Sequence, residues 1–349
     1  MRFGVDVGGT KIALGLVTPD GRLAAGSSFS TPSEGTAEQI LEAVADGLPP
    51  LLQEAGDGLE AVQAVGMGFP AKLEEGTGKV LTAPNVPGFI GCILLPCFED
   101  ALRRRTGYRG PVAVANDTQV AALAEARWGA GRGCPRFLYL TVSTGVGGAV
   151  FDRGTEGGST VNLEPGLSIF PDPDAPERCL EELAGGACLA RRVREELEAE
   201  LLEHGPEGVA RRTSLLGPAP LAPSELRRRL DAVGVVDLAR AAEEGDPYSR
   251  SLLDTSADHV AAALAQLVLA ADRQGRPLQR IVVGGSIALK TKGYLARIRA
   301  TLENRLRHSP AAFSADRDLV EAGLGDERGV LGAALLPVGP RRPLGRDPA

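Results

Sequence analysis

Histidine, lysine, methionine and tryptophan are all scarce in this chain of 349 residues, which has three histidines, two methionines and one tryptophan. Its five cysteines, Cys92, Cys97, Cys134, Cys179 and Cys188, are odd in number and form no Cys-x-x-Cys pair. A disulfide framework is therefore not expected, and the thiols read as small buried apolar side chains. No apolar run is long enough to cross a bilayer, since the longest, Val260 to Ala271, is short and carries Gln266. The first strand starts at residue 2 without a charged and then apolar leader, so the expected location is cytoplasmic. A net charge of -7 argues against an electrostatic footprint for nucleic acid. The basic residues, 33 Arg against 5 Lys, fit a GC-rich coding sequence better than a binding surface. These absences leave a small-molecule partner, with no nucleic acid and no membrane.

What is present is a globular composition, 43% apolar and 24% charged, at a length suited to about two domains. Glycine and proline, 45 and 25 residues, punctuate the whole chain and imply many short connections. Residues 2–7 read as a strand, Gly8-Gly9-Thr10 as a tight turn and Ile12 to Val17 as a second strand, with Asp20-Gly21 marking a further hairpin. Thr36 to Gln53 has helical spacing, and Val62 to Phe69 reads as a buried strand ending at Pro70. Val112 to Ala115 is a strand followed by a helix over Thr118 to Trp128, with Asp117 or Thr118 as its cap. The opening pattern then returns: strand Phe137 to Val142, glycine turn, strand Ala149 to Phe151. This weak duplication predicts two similarly built α/β lobes. Beyond it, Glu177 to Arg250 reads as mostly helical, His259 to Asp272 as an apolar helix, Arg280 to Val283 as a strand, a last helix begins near Gly329, and 338–349 reads as a disordered tail.

Three glycine turns each close an apolar strand: Gly8-Gly9-Thr10, Gly145-Val146-Gly147-Gly148 and Gly284-Gly285-Ser286. Turns of this kind bring bare backbone N–H groups close to phosphate oxygens. A single one would be an ordinary hairpin signal. Three together, with an acid at the end of each of two strands (Asp6 and Asp117), point to phosphate chemistry.

In order along residues 3–335, the segments Gly4-Val5-Asp6-Val7-Gly8-Gly9-Thr10-Lys11, Gly66-Met67-Gly68-Phe69-Pro70, Ala83-Pro84-Asn85-Val86-Pro87-Gly88, Ala115-Asn116-Asp117, Thr144-Gly145-Val146-Gly147-Gly148, Val283-Gly284-Gly285-Ser286 and Gly329-Val330-Leu331-Gly332-Ala333-Ala334 resemble the ROK family of sugar kinases and sugar-responsive repressors. The resemblance implies an α/β, two-lobed, actin-like ATPase (ribonuclease H-like) fold with a central cleft that sugar binding closes. One lobe would span 1–116, with a helix at 329–337 packing back onto it, and a larger lobe would span 117–328. ATP and Mg²⁺ are the implied cofactors, and a homodimer is expected by analogy. Asp6 would hold Mg²⁺ through water, while Gly8, Gly9, Thr10 and Lys11 meet the β- and γ-phosphates. Thr144, Gly145 and Gly147 would form the second phosphate turn, and Gly284 and Gly285 would approach the adenosine, where a side chain would clash. Asp117 would be the base that takes the proton of the attacking sugar hydroxyl, a role that charge and position make chemically sensible. Asn85, Asn116, Asp117, Glu164 and Glu181 would bind the sugar hydroxyls.

The chain also departs from the family pattern. The usual Glu-x-Gly-His reads Glu164-Pro165-Gly166-Leu167, and the usual zinc-binding cysteine cluster is reduced to Cys179 and Cys188 with no nearby histidine. No structural zinc is expected from such a donor set. Phe170 to Pro176 takes the place of the zinc loop, where prolines could stiffen it. The leading expectation is a glucokinase acting on the 6-hydroxyl. The alternatives are an N-acetylmannosamine or other hexose kinase of the same family, and a non-catalytic sugar-binding or sensing protein. A repressor would need a DNA-binding module ahead of the first strand, for which residue 2 leaves no room.

Overall fold

The structure is a computed structural model and describes all residues except 33, 75–76, 155–157, 170–176, 218–221 and 338–349. The expectations for the loop at 170–176 and the tail at 338–349 lie outside the described residues. The chain divides into two compact units, Met1–Gly133 with the segment returning at Gly323, and Cys134–Ala322.

The first unit opens with β1 (Arg2–Val7), β2 (Lys11–Val17) and β3 (Leu23–Ser30), an antiparallel meander. β4 (Ala64–Phe69) follows, then a small hairpin of β5 (Lys72–Leu73) and β6 (Val80–Thr82), then β7 (Val112–Asn116). The sheet order is β3-β2-β1-β4-β7, with β1, β4 and β7 parallel. Alternation along β1 separates the two faces of the sheet. Phe3, Val5 and Val7 are buried with Ile40, Leu41, Val44 and Leu48 of the helices on one side, each such side chain contributing about 1.5–3 kcal/mol of burial. Gly4 faces the other side, where helix Arg328–Ala334 lies directly on the strands. A Cβ on Gly4 would sit 2.1 Å from the Val330 carbonyl oxygen, and one on Gly66 would sit 1.8 Å from that of Ala333. Two side-chain-free strand positions thus let the helix backbone settle onto the sheet.

The single helix expected over Thr36 to Gln53 is two, Ala37–Asp46 and Leu48–Ala55. Pro49 and Pro50 cannot donate backbone hydrogen bonds into a preceding turn, but they suit the first turn of a new helix. The helix after β7 runs Asp117–Trp128 and its cap is Asn116, correcting the expected Asp117 or Thr118. Residue 116 has the extended backbone a cap requires (φ -63°, ψ 148°), and Asp117 is already helical. The unit boundary also falls at Gly133 instead of 116. Ala124 packs with Val330, Leu331 and Ala334, and a Cβ on Gly332 would sit 1.8 Å from the Val120 carbonyl oxygen. This close fit to the returning helix keeps Asp117–Trp128 in the first unit. A helix at Leu94–Thr106, not foreseen from periodicity, packs against Ala37–Asp46.

In the second unit β8 (Arg136–Val142), β9 (Val146–Asp152) and β10 (Ser159–Asn162) form a meander, joined by β11 (Arg280–Gly284) and β12 (Leu319–Glu321), both parallel to β8. The order β10-β9-β8-β11-β12 repeats that of the first sheet strand for strand. The duplication expected from two short motifs is therefore a duplication of whole-sheet topology. Helices occupy most of 180–273; the longest two are Gly186–Arg212, which breaks at Gly205 (φ 66°) before Pro206, and Pro247–Arg273, of which the expected helix at His259 is the second half. The core joins Leu138, Leu140, Ile281 and Val283 of the strands to Val260 and Leu264 of that last helix.

Candidate active site

The site residues expected in the first unit, Asp6, Asn116 and Asp117, lie at or just beyond the carboxyl ends of its parallel strands, the edge where open α/β sheets bind ligands. Asp6 lies in register with Gly68 of β4, and Gly68 with Ala115 of β7. Two strand spacings put the Asp6 and Ala115 backbones roughly 10 Å apart, and Asp117 follows two residues later. Burial pushes the Asp6 pKa up, while Arg328 and then Lys11 pull it down. The return helix closes over this carboxylate: a Cβ on Gly329 would lie 2.1 Å from Asp6 Oδ2. A dehydrated carboxylate of this kind gains by meeting a divalent cation, so Asp6 fits a Mg²⁺-holding role.

After β1 the turn Gly8-Gly9-Thr10 is held by its own backbone and by a neighbour. The Gly8 N–H donates to the Lys11 carbonyl (2.9 Å), the Thr31 hydroxyl donates to the Gly8 carbonyl (2.6 Å), and the Thr31 N–H donates to the Thr10 carbonyl (3.0 Å). Gly9, Thr10 and Lys11 remain exposed. A Cβ on Gly9 would come within 2.6 Å of the Asn85 Cβ, so the expected phosphate turn and an expected sugar ligand lie side by side. Asn85 is itself exposed, in a loop anchored by the Val86 N–H on the Ala83 carbonyl (3.0 Å) and by Phe89, whose ring centre lies 4.6 Å from that of Phe69 with the planes tilted by 58°.

Asn116 is buried, and its Oδ1 accepts from the Thr118 N–H (2.9 Å) and the Thr118 hydroxyl (2.6 Å). Its side chain is therefore committed to the helix start. Asp117, half-buried, also accepts from the Thr118 N–H through Oδ1 (2.8 Å), which orients its carboxylate at the head of the helix.

In the second unit two of the glycine turns meet. The Ser143 and Ser286 hydroxyls are 3.3 Å apart, linking the turn after β8 to the turn after β11. The N–H groups of Gly186 and Ala187 donate to the Ser143 and Thr144 carbonyls (2.8 and 2.9 Å), fixing the first turn to the start of helix Gly186–Arg212. Thr144 is exposed and Gly145 and Gly147 are half-buried, which leaves the Thr144 hydroxyl at the surface. The protein's own packing explains several of these glycines. A Cβ on Gly145 would lie 2.3 Å from Glu181 Oε2, one on Gly284 would lie 2.7 Å from the Tyr139 hydroxyl, and one on Gly285 (φ +95°) would lie 2.3 Å from the Val142 carbonyl.

The two expected glutamates differ in what they do. Glu181 braces the turn after β8 by accepting from the Val146 N–H (2.9 Å). Glu164 accepts from the Asn162 amide (2.6 Å) and is the one described non-glycine residue with positive φ, 45°. Strain of this kind costs on the order of 1 kcal/mol and concentrates at functional sites. Leu167, in the place of the usual histidine, is 55% exposed. Among the described residues no group of three His, Cys, Asp or Glu side chains could hold a metal ion.

Sequence reasoning missed Glu125 and Arg328. Glu125 is fully buried, accepts from the N–H groups of Ala130 (2.7 Å), Gly323 (3.0 Å) and Leu324 (3.1 Å), and lies 3.7 Å from the Arg328 guanidinium. An acid inside the otherwise apolar and alanine-rich stretch Val120 to Ala126 was the available signal.

Two ribonuclease H-like units of one topology, each with a glycine turn after its first strand, define an actin-like ATPase fold. The chain belongs to the ROK family, whose model matches residues 2–338. It is similar to the crystal structure of a ROK hexokinase from Thermus thermophilus, 31% identical with a TM-score of 0.70 over 96% of each chain. It is similar also to a ROK family glucokinase from Streptomyces griseus solved with glucose and AMPPNP, 28% identical with a TM-score of 0.66 over 95% of this chain and 97% of that one. An N-acetylmannosamine kinase from Escherichia fergusonii is 28% identical over 96% of this chain and 97% of its own length. No helix among the described residues is long and apolar enough to cross a membrane.

Proposed function

We propose that this protein is an ATP-dependent sugar kinase of the cytoplasm that phosphorylates the 6-hydroxyl of glucose. The observation that carries the reading is the placement of Asp117 at the head of a helix whose cap is Asn116, on the same sheet edge as Asp6 and the Gly8–Lys11 turn. MgATP, when bound, would supply the γ-phosphoryl group and the cation that spreads its charge. Asp6 would hold the cation through water. The N–H groups of Gly9 and Thr10, with the Lys11 ammonium, would neutralise phosphate charge, while Gly8, its N–H held by the Lys11 carbonyl, would shape the turn. Thr144, Gly145 and Gly147 would donate to phosphate oxygens, and Gly284 and Gly285 would lie beside the nucleoside. Asn85 and Glu164 would orient the sugar through its hydroxyls, and Asp117 would accept the proton of the attacking hydroxyl as its oxygen bonds to phosphorus. Glu181 would act through the turn that it braces, and Asn116 by holding Asp117 in place.

The test is an ADP-release assay with MgATP against glucose, mannose, fructose, N-acetylglucosamine and N-acetylmannosamine. Turnover with glucose, and its loss by about 10²–10⁴-fold in Asp117→Asn with sugar binding kept, is the expected result. Preference for N-acetylmannosamine would replace the sugar but keep the class. The exposed Leu167 favours a second reading, a binding protein without turnover. Sugar binding with no ADP release would establish that reading.

A further inference from the structure

The break in helix Gly186–Arg212 folds the chain back on itself. Gly205 (φ 66°) and Pro206 turn its second part so that Arg212 reaches Glu196, its Nη2 donating to Oε2 at 2.9 Å. Arg192 donates to the same carboxylate from one turn earlier, Nε to Oε1 at 2.7 Å, and the Tyr248 hydroxyl donates to Oε2 at 2.9 Å. The Arg212 guanidinium also lies over the Tyr248 ring, 5.0 Å from its centre, and donates to Glu200 (3.3 Å). Glu196 thus orients three side chains at once. Asp246, 2% exposed, completes the frame: it accepts from the Thr213 hydroxyl and the Ser214 N–H just after Arg212, and from the Ser249 N–H at the head of helix Pro247–Arg273. The end of one helix is thereby tied to the start of the other.

Between them, inside the second unit, lies a cavity of about 220 Å³ lined by Arg192, Glu196, Arg212, Tyr248, Ser251 and Thr255. Tyr248, Ser251 and Thr255 recur at the spacing that places side chains on one helix face. Donors outnumber acceptors here. Arg192 spends only its Nε, and among the described residues its two terminal nitrogens bond nothing, nor do the hydroxyls of Ser251 and Thr255. The one carboxylate of the lining is already engaged by three donors. Two guanidiniums against that single carboxylate leave the lining positive, and the unspent fork of Arg192 matches the oxygens of a phosphate. Burial, and then the Glu196 charge beside it, push the Tyr248 pKa up, so the phenol keeps its proton and its place as a donor. None of these residues belongs to the candidate active site.

We propose that this cavity is a second binding site, one that takes a sugar monophosphate. The phosphate oxygens accept from the terminal nitrogens of Arg192 and from the Ser251 and Thr255 hydroxyls, and the sugar ring packs against Tyr248. At 220 Å³ the cavity is smaller than the roughly 300–1,000 Å³ of sites for drug-sized ligands, which suits one ring with its phosphate better than the base, ribose and phosphate of a nucleotide. The choice of a sugar as the organic part rests on the kinase reading, whose product it is; the phosphate part rests on the cavity alone.

The experiment is isothermal titration of the full chain with glucose 6-phosphate, inorganic phosphate, AMP and glucose, on wild type, Arg192→Gln and Thr255→Val. Thr255→Val leaves every Glu196 bond in place, so it removes a ligand contact without disturbing the frame, which an unchanged melting temperature checks. Glucose 6-phosphate should bind about tenfold more weakly to Arg192→Gln than to wild type, and several-fold more weakly to Thr255→Val. Inorganic phosphate should bind more weakly than the ester, and glucose should show no binding that either variant changes. Ester binding left unchanged by either variant lies elsewhere and would overturn the site. Inorganic phosphate that binds as tightly as the ester would remove the role of Tyr248, and AMP that binds more tightly would put a nucleotide in place of the sugar; either result overturns the assignment. The titration needs no turnover, so a chain that binds the ester in this cavity and releases no ADP with any sugar would lose the kinase reading and keep the site.

Discussion

Replacing Glu125 by glutamine keeps its size and removes its charge, at a position with no exposed surface. The carboxylate serves three backbone donors: Oε2 takes the N–H groups of Ala130 (2.7 Å) and Gly323 (3.0 Å), and Oε1 takes that of Leu324 (3.1 Å). An amide has one oxygen. With that oxygen turned to the first pair, the amide NH₂ faces the Leu324 N–H and one buried donor loses its partner, at about 1–3 kcal/mol. The two surviving bonds lose their charge assistance, about 0.5–1 kcal/mol each. Arg328, 3.7 Å away, loses its countercharge. The sum, about 3–5 kcal/mol, is that of a broken buried ion pair. Urea unfolding should therefore show a midpoint about 1–2 M lower with an unchanged slope for the transition that reports the first unit. Glu125→Ala should be worse, since all three donors are orphaned. A loss below about 1 kcal/mol for Glu125→Gln would refute the reasoning, because it would mean that water or a shifted chain satisfies these donors as well as the carboxylate does.

Two further substitutions test the packing and the charges. Gly329→Ala places a methyl group 2.1 Å from Asp6 Oδ2 and should destabilise by about 1–3 kcal/mol while lowering Mg²⁺-supported turnover; thermal melting and ADP release, measured together, check it, and wild-type values in both would show that the helix start yields freely. Asp246 is buried and takes hydrogen bonds from the N–H groups of Ser214 (2.7 Å) and Ser249 (2.8 Å) and from the Thr213 hydroxyl (2.9 Å). Burial works to raise its pKa, but these bonds hold it below the ordinary 3.8. A lowered folded pKa means that the carboxylate contributes fully above that ordinary value and less as the pH falls through the folded one. Asp246→Ala should thus cost about 2 kcal/mol at neutral pH, with the gap from wild type narrowing below about pH 4; a gap independent of pH would contradict the assignment.

Much of the fold was legible in the sequence because period-2 strands ended by glycine turns are local signals. Strand β1 and the turn Gly8-Gly9-Thr10 fall where alternation puts them, and β8 begins one residue earlier than expected. The helix at Leu94–Thr106 was not legible, because Pro96 and Cys97 sit in its first turns and three successive arginines end it, which blurs the apolar stripe. The unit boundary was missed for a different reason. Asp117–Trp128 is held to the first unit by residues more than two hundred positions later, Val330 to Ala334, and no local pattern announces a contact of that range. At the candidate site, residue types were readable and their tasks were not. Asn116 is a cap and Glu181 a turn brace, and each role appears only when the groups they bond are brought close.

The repeated topology also shows how one scaffold can be divided between two kinds of chemistry. The last paired residues before the first turn are Val7 with Ile12 in one unit and Val142 with Val146 in the other. Counting back one row, the position of Asp6 is taken in the second unit by Thr141. Where β7 ends in Asn116 and runs on to Asp117, β12 runs into Ala322 and Gly323. The positions of Asp6 and Asp117 thus carry no carboxylate in the second sheet, whose β12 ends one residue earlier in the exposed Glu321, while the glycine turn after the opening strand is kept in both. Backbone donors suit a polyanion wherever they occur, but carboxylates beside phosphates repel them unless a cation intervenes or a proton is to be taken. A unit whose acid beside the turn, Glu181, is spent on the Val146 N–H is suited to holding a nucleotide, and a unit with a turn and the acids Asp6 and Asp117 to a cation and a hydroxyl. Exchanging Thr141 for aspartate should then weaken nucleotide binding at low Mg²⁺ by about tenfold or more through like-charge repulsion. Titration with AMPPNP would measure it, and an unchanged affinity would separate Thr141 from the phosphates and undo this division of labour.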